Sequence, residues 1–200
     1  MNDAIRSRLV ARWSLSAAFV LLPLLALSQS STDSVARASL GVAEFTASGQ
    51  LRFPENADQW IAMGASVGTD YSEEPLDSAN PPPIGVVQME PSAYRYFVEN
   101  GRYANGTMFL LSFFAPEQNT EPKLRGFVQG ALRGREIHLI DRERYADTHA
   151  FFLFPGDVSE ATMVPAGNEC IVCHSEHGAF DGTFTQFYPP TRGLSLEGRD

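Results

Sequence analysis

Only two cysteines occur in this 200-residue chain, and they stand together in Cys170-Ile171-Val172-Cys173-His174. Two thiols three residues apart can add to the two vinyl groups of one haem, and the adjoining histidine then supplies a nitrogen to the iron. This is the pattern of c-type haem attachment. Two other chemistries use such residues. A redox disulfide wants a thioredoxin-like βαβ context at the start of a helix, whereas this motif lies near the C-terminus without that pattern. A zinc site needs two further ligands; His174 and His177 could serve, but that reading explains less in an exported chain. Haem c, covalent through Cys170 and Cys173 and ligated by His174, is the expected cofactor.

The sixth iron position decides what such a haem does. No methionine follows His174, and Met63, Met89, Met108 and Met163 all precede it. Met163 lies too near Cys170 to wrap easily to the opposite haem face. His138 and His149 are possible bis-histidine partners, but they read more simply as surface or rim histidines. The expectation is therefore a five-coordinate iron with an open distal side. An open position binds or converts a small molecule; a closed one mostly passes electrons.

Several elements must position this motif. Residues 1–28 read as an export signal: Arg6, Arg8 and Arg12 precede an apolar run from Leu15 to Leu27, with cleavage expected after Ser28. The run is short for a span of about 20 residues, so an uncleaved anchor is the lesser alternative and the periplasm the expected location. Residues 29–40 form a flexible lead-in, 41–190 one haem domain and 191–200 a loose tail. With 44% hydrophobic residues the chain can bury a real core, and a formal charge of −9 leaves no footprint for nucleic acid. An acidic surface could steer a basic redox partner.

Along the domain, Phe53-Pro54-Glu55-Asn56 predicts a short helix carrying Trp60, Ile61 and Met63 up to Gly64. Residues 68–83 are acidic and proline-rich, a loop. Ile84–Met89 predicts a strand, and Pro91 opens a helix with Tyr94, Phe97 and Val98 that stops near Gly101. Asn105-Gly106 signals a turn. Thr107–Phe114 reads as a buried strand, followed by strands over Leu124–Leu132, Glu136–Ile140 and Ala150–Phe154. Helix-like stretches surround the cysteines, and Thr183–Tyr188 is a short aromatic element ended by Pro189-Pro190. The class is α+β, a sheet with flanking helices. Side chains alternate along a strand, so Phe109, Leu111 and Phe113 share one face.

These pieces, in this order, resemble the cytochrome P460 family, including the related β-type cytochromes c′. The resemblance rests on Gly41-Val42-Ala43-Glu44-Phe45; on Phe53-Pro54 with Trp60 and Met63-Gly64; and on Pro91-Ser92-Ala93-Tyr94, Gly101-Arg102-Tyr103 and Asn105-Gly106-Thr107. It ends on the late CxxCH and Phe184-Thr185-Gln186-Phe187-Tyr188-Pro189. It implies a mostly antiparallel sheet with helices, a homodimer and one haem per chain. P460 proteins carry a lysine linked to the haem macrocycle, use a distal carboxylate and oxidise hydroxylamine to nitric or nitrous oxide. An enzyme of this kind is a haem oxidoreductase. The c′-β relatives lack the link and bind nitric oxide in an apolar pocket.

Here the family lysine falls at Leu111, which cannot cross-link. The chain's single lysine, Lys123, sits in a loop and reads as solvated. Glu136 falls where the distal glutamate would be, and could accept a proton from a bound N–OH group; a surface glutamate paired with Arg133 or Arg135 is an equal alternative. If Phe109, Leu111 and Phe113 roof the haem, the pocket suits nitric oxide; otherwise they are plain core. Three functions follow: a haem protein for nitric oxide or hydroxylamine, an electron-transfer cytochrome, or a haem-free exported domain with a disulfide.

Overall fold

The computed structural model describes residues 40, 42–69, 75–77, 79–118 and 125–192. The expected signal, most of the lead-in, Lys123 and the tail from residue 193 lie outside the described residues. The strands in chain order are β1 (Leu51–Arg52), β2 (Ile61–Val67), β3 (Ile84–Met89), β4 (Thr107–Glu117), β5 (Val128–Ile140), β6 (His149–Pro155) and β7 (Glu160–Ala161). The helices are α1 (Pro91–Asn100), α2 (Glu169–His177) and α3 (Pro189–Arg192). Strands β2-β3-β4-β5-β6 form one antiparallel sheet in sequence order, and β1 pairs with β7 beside it. The class is α+β, with a mostly antiparallel sheet, as expected. Among the described residues no helix is long and apolar enough to cross a membrane.

Register and alternation sort the side chains onto two faces. On the front, Met89, Phe109 and His138 are successive cross-strand neighbours, as are Val87, Leu111 and Glu136. There Met63, Phe97, Tyr103 and Phe109 form one core beneath α1. On the back, Met108, Leu110, Ile137, Leu139, Phe152 and Phe154 close over Leu51 and Trp60. Both cores are apolar on account of period-two patterning in β4, β5 and β6.

Helix α1 is bounded as its sequence predicts. The Glu90 carboxylate accepts from the Ala93 N–H at 2.8 Å, Pro91 takes the first turn, and Gly101 closes the helix at φ 65°.

The helix predicted after Phe53 is corrected. Only Ala57–Gln59 makes a 3₁₀ turn, and Ile61–Val67 is the edge strand β2. Trp60 and Met63 fit a helical face and a strand equally, and pairing with β3 decides it; a register shift between Ala62 and Gly64 accommodates both residues. The two strands expected on either side of Arg133 are one, Val128–Ile140, whose pairing with β4 shifts register at Arg133, between Gly134 opposite Phe113 and Leu132 opposite Phe114. The element expected over Thr183–Tyr188 is a 3₁₀ turn, Thr185–Phe187, that ends before Pro189-Pro190, and the prolines open α3, because proline is tolerated in a helix's first turn. Leu40, at the end of the expected lead-in, donates its N–H to the Asn105 carbonyl at 2.9 Å and packs on the front core.

Candidate functional site

Helix α2 carries the whole CxxCH sequence. Its start is set by Asn168, whose side chain accepts from the Cys170 N–H at 2.9 Å. Ile171 anchors it, packing with Phe151 and Val164 on the front of the sheet, while Val172 is exposed. Cys170, Cys173 and His174 follow at helical spacings of three and one. Both cysteines are free thiols.

The helix lies along β5 in matched pairs. The Cys170 Sγ contacts Glu136 Oε2 at 3.7 Å. Four residues on, the His174 ring meets His138, two residues on from Glu136, with 5.0 Å between ring centroids. Four helical residues rise about 6 Å and two strand residues advance about 6.6 Å, so the two elements keep step. Phe151 and Phe184 complete the packing around His174, each at 4.7 Å.

His174 is oriented by a loop. Its Nδ1 bonds to the Gly182 carbonyl at 2.6 Å. A carbonyl can only accept, so Nδ1 carries the proton and Nε2 keeps its lone pair, the form in which an imidazole can ligate a metal. Gly182 has φ +64°, and a Cβ there would come within 2.3 Å of the His149 ring. Only glycine allows the loop to press this close.

Burial governs the charges. Glu136 is 7% exposed; desolvation raises its pKa to about 6, with the Cys170 bond acting the other way. The Cys170 thiol is pushed up to about 11, by burial first and then by Glu136. Burial holds His138 well below the usual histidine range, with His174 and His149 adding to it. Burial lowers His149 and His174 as well, and the Gly182 carbonyl partly opposes it at His174. The result is a cluster of neutral imidazoles against one buried carboxyl group.

One expectation changes here, and one open alternative closes. His138 and His149 are not rim residues; they are 6% and 5% exposed, packed edge to face with centroids 5.1 Å apart. Glu136 is not a surface glutamate paired with arginine. Arg135 points to the opposite face, where its guanidinium covers Phe53 at 4.0 Å and lines a separate cavity of about 270 Å³.

The apolar trio is only partly gathered in. Phe109 is buried beside His138, with ring centroids 6.1 Å apart. Leu111 is half-buried directly opposite Glu136. Phe113 lies farther along β4, opposite Gly134 and half-exposed. Sequence reasoning did not single out Phe151, Phe184 or Gly182. The pairing of His138 with Glu136 was available from strand alternation; the Gly182 contact was not, because it depends on how a distant loop folds back.

The residues present fit a haem c. Two thiols and an oriented imidazole sit on one helix, against a face where His138 Nε2 and both ring nitrogens of His149 are buried without a hydrogen-bond partner. No curated protein matches this chain. The family model of cytochrome P460 matches residues 54–185, a span that runs from the turn before β2 through the sheet and α2 to Thr185. On that match, together with the antiparallel sheet and the placement of its CxxCH helix, this chain belongs to the cytochrome P460 family.

Proposed function

We propose that this protein is an exported monohaem c-type cytochrome that binds or converts small nitrogen species, nitric oxide or hydroxylamine. In this reading Cys170 and Cys173 form the thioethers and His174 ligates the iron. The observation that carries it is the His174 imidazole, buried against the sheet with Nδ1 already committed to the Gly182 carbonyl. When bound, the haem supplies a redox-active iron; the chain supplies the surroundings.

A thioether at Cys170 would lack the S–H hydrogen with which this residue reaches Glu136. The carboxyl group is then released from that contact inside a desolvated site. Burial raises its pKa, to about 6 while the thiol contact lasts, and loss of that contact would raise it further, so it can hold a proton near neutrality. Phe109 and Leu111 make the adjoining wall apolar and exclude water from it. Leu111 stands where the family lysine falls and has no amine, so a lysine cross-link at that position is chemically excluded. Periplasmic location and a homodimer belong to the same proposal.

A second reading, an electron-transfer cytochrome with a six-coordinate haem, is favoured by the burial of His138 beside His174. Optical spectra of the purified protein separate the two. We expect nitric oxide, and separately hydroxylamine, to change the ferric or ferrous spectrum, without the red-shifted ferrous Soret band that names the family. A spectrum indifferent to both ligands would sink the first reading. Covalent attachment is read from haem staining on a denaturing gel, which we expect to be lost when Cys170 and Cys173 are both replaced by alanine.

A further inference from the structure

We propose that the cavity on the back of the sheet is a second ligand site. It takes a small zwitterion, a carboxylate and an ammonium joined by a short apolar chain. The site lies on the face away from α2 and does not depend on what the cysteine helix holds.

Strand alternation places it. Leu111 and Glu136 are cross-strand partners on the front, so the next pair, Ser112 and Arg135, points to the back. Ser112 and Arg135 line a cavity of about 270 Å³ there, with Leu110 and Phe114 of the same β4 face beside them. Phe53 and Pro54, from the segment before β2, form a further wall. That volume of about 270 Å³ is just under the range of about 300–1,000 Å³ typical of drug-sized ligands, so the occupant is small.

One end of the cavity donates. Among the described residues Arg135 forms no ion pair. Of the five N–H groups of its guanidinium, the fold satisfies one: Nη2 donates to the Gly156 carbonyl at 3.3 Å. Nε is buried with no hydrogen-bond partner. The Phe53 ring, 4.0 Å from the guanidinium carbon, holds the group in place. A cation held in this way is a ready fork for a carboxylate. Ser112, buried on the neighbouring strand, adds a hydroxyl.

The other end accepts. Gln88 stands two strands from Arg135, about 10 Å by strand spacing. Its Nε2 donates to the carbonyls of Ala57 and Trp60 at 3.4 and 3.2 Å, which leaves Oε1 to accept. Asp58, next to Ala57, and Glu55 set two carboxylates on the exposed rim. A simple carboxylate would face those two negative charges, and a simple amine would face Arg135. A molecule carrying both charges, its chain lying on Leu110 and Phe114, meets each with its opposite.

The test is isothermal titration calorimetry of the haem-loaded protein with ε-aminocaproate, and with caproate and hexylamine as its single-charge analogues. We expect ε-aminocaproate to bind, and each analogue to bind about tenfold more weakly or worse for want of one charge-assisted contact. Arg135→Gln should weaken ε-aminocaproate about tenfold or more. Leu132→Trp fills the cavity from a partly exposed position and should abolish binding. Thermal melts establish that each variant folds; if Arg135→Gln does not, Leu132→Trp decides. Absence of binding by ε-aminocaproate would overturn the proposal. Binding left unchanged by the folded variants would overturn it too, by placing the ligand elsewhere. Caproate or hexylamine binding as tightly as ε-aminocaproate would overturn the zwitterion assignment.

Discussion

At the scale of the residue, Glu136 shows how burial sets chemistry. It is 7% exposed, and desolvation raises its pKa from 4.5 to about 6. Between those values the folded chain holds a proton that the unfolded chain has released. This group's contribution to stability is therefore complete below pH 4.5 and is lost as pH rises through 6, by about 2 kcal/mol. Urea denaturation across that interval should show wild type losing about 2 kcal/mol relative to Glu136→Gln; a constant gap between the two would mean the carboxyl group is not desolvated. The imidazoles act with the opposite sign. His138, His149 and His174 all sit below 6.5, so their contribution is present above pH 6.5 and declines as pH falls and the unfolded chain binds protons that the folded chain refuses.

At the scale of the element, the site depends on how α2 begins and how the following loop returns. Asn168→Ala removes the cap that receives the Cys170 N–H. It should cost about 1 kcal/mol in denaturant melts and lower the yield of attached haem. Gly182→Ala is more severe, because φ +64° is strained for alanine and its Cβ would strike His149. A loss of more than about 1 kcal/mol is expected, together with a shifted haem reduction potential as the carbonyl leaves His174. An unchanged potential would show that this hydrogen bond does not tune the iron. Most elements were legible: β3, β4, β6, α1 and its glycine stop, and a helix at the cysteines. The 53–67 segment was not, because Trp60, Ile61 and Met63 satisfy both periods and only pairing with β3 chooses between them.

At the scale of the whole molecule, one sheet separates two cores, and the site belongs to the front one. Phe151 and Phe152 are adjacent and fully buried, yet they face opposite ways. Each replaced by alanine should cost roughly 3–5 kcal/mol. Only Phe151→Ala should also alter the haem spectrum, since that ring touches both His138 and His174. Equal spectral changes from both would mean that the two faces are not independent. The front face is tied to the chain's end as well. Tyr103 bonds Thr185 at 2.8 Å, and Arg142 pairs with Asp181. These links hold the 178–188 segment over the cysteine helix.

The sequence by itself determined the CxxCH motif, the α+β class and the one-face arrangement of β4, because a five-residue motif and period-two alternation are local properties of the chain. Tertiary structure alone decided what packs against His174. That answer depends on the register of β5 against β6, on α2 docking along β5, and on a glycine loop reaching back to His149. None of these is a property of neighbouring residues. A histidine reads as surface or site only when its neighbours in space are known, and burial turned His138 from an expected rim residue into one packed directly against the His174 ring.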